Sequence, residues 1–66
     1  MKVIVNGTQR TVPDDATVDD LLDLLEIGRD GTAVAVDRHV IPRTRHAQTQ
    51  LSEGQEIEVI RAVGGG

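Results

Sequence analysis

The sequence predicts an α+β fold in which a mixed sheet of four to five strands packs against one helix. Three observations carry this. A β-branched opening runs into Asn6-Gly7; Val18, Leu21, Leu22 and Leu25 recur at helical spacing; and residues 55–61 alternate after two short aliphatic segments. With 66 residues the chain makes one domain at most, and so short a chain buries only about 60% of the surface that its unfolded form exposes.

Residues 2–6 form the first strand, and Asn6-Gly7 turns it back because both residues tolerate positive φ. Gln9-Arg10-Thr11-Val12 supplies the second strand of an antiparallel hairpin, which Pro13 stops because proline has no ladder donor. Thr17 reads as a helix N-cap, with Asp19 and Asp20 in the first turn where carboxylates favour free N–H groups. The stripe from Val18 to Leu25 is the buried face, and Gly28 reads as the C-terminal stop.

Ala33-Val34-Ala35-Val36 carries no charge and reads as a third strand near the sheet centre. Asp37-Arg38-His39 turns the chain, and Val40-Ile41 pairs only briefly before Pro42, as expected of an edge. Residues 43–50 are polar and read as irregular. Ser52-Glu53-Gly54 is a turn into the last strand, Gln55 to Arg61. The domain is thus expected over residues 1–61, followed by a flexible glycine tail at 62–66, since glycine loses the most backbone entropy on ordering.

The composition excludes several functions. There is no cysteine, hence no disulfide and no thiolate metal site, and no Phe, Tyr or Trp, hence no platform for stacking bases. Together with a formal charge of −4 this argues against nucleic-acid binding. The N-terminal segment turns polar too soon for a signal peptide, and no run spans a bilayer, so the expected address is cytoplasmic with no membrane partner.

Placing the first and last strands side by side and parallel, with the helix across one face, makes the core continuous; this is the β-grasp arrangement of ubiquitin. Alternation then puts Val3, Val5, Val34, Val36, Ile57 and Val59 on the helix side. Ile4, Ala35 and Ile60 fall on the opposite face among Lys2, Asp37, Glu56 and Glu58. With Gly64 beside the tail they form a candidate partner-binding patch; the plainer reading is ordinary exposed aliphatic surface.

The whole chain resembles the ThiS family of sulfur carriers of thiamin thiazole biosynthesis. The resemblance rests on the strand ending in Asn6-Gly7, on Thr17-Val18-Asp19-Asp20-Leu21-Leu22, and on Ala33-Val34-Ala35-Val36-Asp37 followed by Val40-Ile41-Pro42-Arg43. Most specific is the terminal Gly65-Gly66. ThiS sequences often carry an aromatic residue a few positions beyond the Pro-Arg pair, where this chain has His46.

The resemblance implies a carrier and not an enzyme. The Gly66 carboxylate, with Gly65 before it, would be adenylated by a separate E1-like enzyme of ThiF type that uses ATP and magnesium. It would then take sulfur from a persulfide donor as a thiocarboxylate and deliver it to a thiazole synthase of ThiG type. The chain itself offers no phosphate-binding loop, no cysteine nucleophile and no metal cluster, and an ionised carboxylate needs activation from outside. Related carriers serve molybdopterin or cysteine, and ubiquitin-like modifiers conjugate to lysine; the tail alone does not separate these.

The remaining polar groups read as structural. Asp14, Asp15, Asp19, Asp20 and Asp23 form a solvated helix start, or alternatively steer a basic partner. His39 and His46 read as surface histidines, and Arg43 and Arg45 as loop cations or partner contacts.

Overall fold

The computed structural model describes residues 1–28 and 31–61, so the expected tail, and with it Gly64, Gly65 and Gly66, lies outside the described residues. The elements in chain order are β1 (Lys2–Val5), β2 (Thr8–Thr11), α1 (Val18–Leu24), β3 (Thr32–Val36), β4 (His39–Ile41), a 3₁₀ helix (Arg43–Gln48) and β5 (Glu56–Arg61). The strands make one five-stranded sheet in the order β2-β1-β5-β3-β4. β1 and β5 run parallel and the other pairs are antiparallel, which is the β-grasp arrangement. β5 lies at the centre; β3, expected there, is second from the edge.

Asn6 and Gly7 turn the first hairpin with φ of 49° and 84°, in the left-handed region that a two-residue hairpin turn requires. Asn6 also does something the dipeptide pattern does not reveal. Its Nδ2 donates to the Val59 carbonyl at 3.2 Å and its Oδ1 accepts from the Val59 N–H at 2.9 Å. The side chain thereby extends the β1/β5 ladder beyond the bonds from the amides of Ile4 and Asn6 to the carbonyls of Gln55 and Ile57. Asp37 plays a matching part at the β3/β4 turn, where its N–H donates to the Glu56 carbonyl and its Oδ1 accepts from the Glu56 N–H.

Helix α1 starts as expected, on a reciprocal capping box. The Thr17 hydroxyl accepts from the Asp20 N–H at 3.1 Å, and the Asp20 carboxylate accepts from the Thr17 N–H at 3.0 Å. It stops earlier than Gly28. The Ile27 N–H bonds back to the Leu22 carbonyl and the Glu26 N–H to that of Asp23, with Glu26 at φ 56°. That is a Schellman ending with glutamate in the left-handed position usually given to glycine.

The core is aliphatic, as composition dictates: the six expected valine and isoleucine positions on the helix side of the sheet are buried against Val18, Leu21 and Leu22. Val12, Ala16 and Leu51 join them. The segment read as irregular differs from expectation. Residues 43–48 wind into the 3₁₀ helix, which packs against α1, and His46 turns inward with 2% of its surface exposed. The surface reading of His46 is therefore overturned. A lone histidine among Arg, Thr and Gln shows no periodicity, so nothing local marks its direction.

Candidate docking face and tail exit

β5 carries the site. It is the central strand, and its last described residue, Arg61, directly precedes residues 62–66 in the chain. β1 pairs only with the start of β5, at Glu56 and Ile57, and the Asn6 side chain reaches as far as Val59, so the end of the strand is held by β3. The β3/β5 ladder runs to the pair Thr32 and Arg61 at the very end of the strand.

Around that exit the open face is apolar. Ile60 is paired with Ala33, and Ala35 with Val40 across the β3/β4 ladder, so these four side chains share one face. Ile60 and Val40 are 60% and 73% exposed, which makes them two of the three large exposed aliphatics among the described residues. Of the three candidate patch residues on the sheet, Ala35 and Ile60 belong to this group. Ile4 does not adjoin it: it is half-buried and registers with Glu56, four positions back along β5 and roughly 13 Å from Ile60. Val40 was missed in the sequence because β4 is too short to show alternation, whereas Ala33 follows from the same β3 alternation as Ala35. The Ala35 and Val40 pairing follows only from the register of the Asp37-Arg38 turn.

Charge divides this face along its length. Glu58 registers with Ala35, and beside it Asp37, Arg38, Glu56 and Glu58 line a shallow cavity of about 260 Å³. Three carboxylates against one guanidinium leave that end acidic; Glu58 shares its row with Ala35 and Val40, and beyond it Ile60 and Ala33 continue the face to Arg61. Such a surface suits a partner with an apolar contact point flanked by cations.

The other polar candidates are taken up locally. Asp20 is spent on the helix cap, and Asp14 accepts from the N-terminal ammonium at 2.8 Å, whose hydrogen bond and charge hold its carboxyl below the usual range. His39 is exposed on β4, and Arg43 and Arg45 are exposed on the 3₁₀ helix. The Nε2 of the buried His46 lies 3.0 Å from the Ile41 carbonyl, so that nitrogen carries the proton; its Nδ1 is buried without a partner. Among the described residues no group of three or more His, Asp or Glu is placed to hold a metal ion. No helix of the described residues is long and apolar enough to cross a membrane.

The face, the exit strand and the helix are arranged as in known proteins. Residues 3–66 match the model of the ThiS family. This chain belongs to the ThiS family. The sulfur carrier protein ThiS of Escherichia coli is 27% identical over 66 residues, with both chains covered in full. The crystal structure of the thiamine biosynthesis protein ThiS from Geobacter metallireducens superposes with a TM-score of 0.84 at 28% identity, again over all of both chains. A thiazole synthase of Paramagnetospirillum magneticum is 35% identical over 68 residues; the whole of this chain matches only 20% of that protein's length. ThiS-like sequence thus occurs both as a short protein and as a segment of a much longer one.

Proposed function

We propose that this chain is a sulfur carrier for thiazole assembly in thiamin biosynthesis, a protein substrate handed between enzymes and not itself an enzyme. The observation that carries the proposal is the family match, which runs through the β-grasp body and into the glycine tail. Two relatives support it: one is named a ThiS sulfur carrier, and the other is named a thiazole synthase and includes a segment like this chain. The latter points to a ThiG-type synthase as the acceptor.

In this reading the Gly66 carboxylate attacks the α-phosphate of ATP on a ThiF-type activating enzyme, which holds the magnesium, and pyrophosphate leaves. The terminal sulfur of a persulfide donor then displaces AMP, and a thiol reduces the resulting S–S bond to leave the glycyl thiocarboxylate. At the synthase the thiocarboxylate sulfur bonds to the carbon substrate, the glycyl C–S bond breaks, and an oxygen from the substrate or from water takes its place on the glycyl carbon, which returns the carboxylate. Glycine at 65 and 66 leaves the carbonyl open to attack from either side. Extended, residues 62–66 reach at most about 16–18 Å, enough to enter a deep site while the body docks outside. The group of exposed Ala33, Val40 and Ile60 with half-buried Ala35 is the docking face at the root of that reach.

The test is reconstitution with a ThiF-type enzyme, ATP, magnesium and a persulfide donor, followed by intact-mass measurement. Exchange of one oxygen for sulfur adds about 16 Da. Deleting Gly66 should abolish the gain and leave the circular dichroism spectrum unchanged. An unmodified mass under conditions that convert an established family member would overturn the proposal, as would conversion of the truncated chain.

A further inference from the structure

A groove lies away from the docking face, between the outer edge of β2 and helix α1. It has a volume of about 350 Å³ and is lined by Gln9, Arg10 and Thr11 on the strand side and Leu21, Leu24 and Leu25 on the helix side. Leu24 is 56% exposed, the third of the large exposed aliphatics, and none of the body's own chain covers it among the described residues.

The strand beside the groove has an open edge. β2 is terminal in the sheet and all four of its residues are exposed. Met1 and Val12 exchange both backbone hydrogen bonds, each at 2.8 Å, so alternation makes Val3 with Arg10 and Val5 with Thr8 the other closed pairs. The N–H and C=O groups of Gln9 and Thr11 therefore point outward, away from β1. No hydrogen bond to them forms among the described residues.

We infer that this groove takes an extended peptide segment of a partner protein, added as a sixth strand along β2. The open edge asks for a main-chain ladder, and the groove asks for side chains on alternate positions of the incoming strand. Two of those positions meet Leu24 and Leu25. A third meets Arg10, the single charged residue lining the groove, which registers with Val3 on the helix side and makes no ion pair among the described residues. The occupant is thus an aliphatic strand with a carboxylate at one groove-facing position. Because the groove sits on the helix side, such a segment holds the carrier without covering Val40 or Ile60.

The experiment titrates ¹⁵N-labelled protein with the blocked peptide acetyl-Thr-Val-Thr-Val-Thr-Glu-Thr-amide and reads backbone amide shifts. The expected shifts centre on Gln9, Thr11, Leu24 and Leu25. Thr11→Pro, which removes one outward donor at an edge that tolerates proline, should weaken binding about tenfold, while Thr11→Val should not. Arg10→Glu should weaken the glutamate peptide by a similar factor and favour its lysine counterpart. If Thr11→Pro does not fold, Leu24→Asp, at an exposed position, decides by the same loss.

Absence of shifts at about 1 mM peptide would overturn the inference, as would shifts confined to Ala35, Val40 and Ile60 or equal affinity of the folded variants. So would concentration-dependent shifts at Gln9 and Thr11 without peptide, which mean that β2 pairs with a second copy. None of these readouts involves sulfur transfer, so the carrier proposal stands or falls separately.

Discussion

Val59 and Ile60 are adjacent on β5, both β-branched, and differ in everything else: Val59 is buried under the helix and Ile60 stands exposed on the open face. The contrast extends across the sheet. Val3, Val34 and Ile57 are sealed by Leu21 and Leu22, whereas Val40 and Ile60 on the other side meet no second layer. Strand propensity alone explains neither face, since the same residue types occupy both. What separates them is a single covering helix, so one face holds the fold together and the other stands uncovered; the proposed docking role belongs to that second face.

The largest stability effect therefore belongs on the helix side. Leu21 is fully buried, and Leu21→Ala should cost about 2–5 kcal/mol through lost transfer energy and the cavity left behind. A core this small supplies only about 3–5 kcal/mol of net stability, so the variant should be largely unfolded at 37 °C. Urea denaturation checks this; a loss under about 1 kcal/mol would mean that α1 collapses onto the gap and that the two faces differ less than their exposure suggests.

His46 tests how complete the sealed side is. It is the one buried polar residue among the described residues, and its ring uses one nitrogen and leaves the other orphaned. His46→Phe keeps most of the ring volume and removes the orphan at the expense of the bond to Ile41. The expected change is within about 1 kcal/mol of wild type in either direction. His46→Ala should instead cost about 2–4 kcal/mol, as a cavity is left. Equal melting curves for the Ala variant and wild type would show that the ring is not part of the packing.

How much of this was legible in the sequence depends on where the signal resides. Thr17, the Val18 to Leu25 stripe and the alternation in β5 are local patterns with local causes, and they read correctly. The ends of elements are set by competition: α1 stops at Leu24 because two backbone bonds close a Schellman turn that puts Glu26 in the left-handed position, two residues before the glycine that looked like the stop. Asn6 is set by its non-local bonds to Val59, and His46 by the winding of the 3₁₀ helix that packs against α1, for which the sequence carries no period. On the open face Ile60 and Ala35 follow from alternation, but their grouping with Val40 and separation from Ile4 depend on register, which the β3/β4 hairpin and the parallel β1/β5 pairing fix only in three dimensions.

Glu26 predicts a smaller effect of opposite sign. A non-glycine residue at φ 56° carries backbone strain, and its N–H is bonded as a glycine's would be. Glu26→Gly should raise stability by about 0.5–1 kcal/mol, visible as a rise in Tm of a few degrees. A lower Tm would show that the entropy glycine loses on folding exceeds the strain it relieves.

The smallest stability effect, and the one that separates the two faces most sharply, is expected at Ile60. Ile60→Asp places a carboxylate at a position already 60% exposed, with Ala33 opposite it, so stability should change by no more than about 0.5 kcal/mol. Val59→Asp, one residue earlier, buries an unpaired charge in the aliphatic core and should unfold the domain. Their melting curves alone test the assignment of faces. Function is read separately, from the affinity of folded Ile60→Asp for a ThiF-type enzyme. Loss of an apolar anchor together with desolvation of the new charge should weaken docking at least about tenfold. Because this variant stays folded, the loss cannot come from the core; unchanged affinity would place the docking surface elsewhere and leave Val40 and Ile60 as ordinary exposed aliphatics.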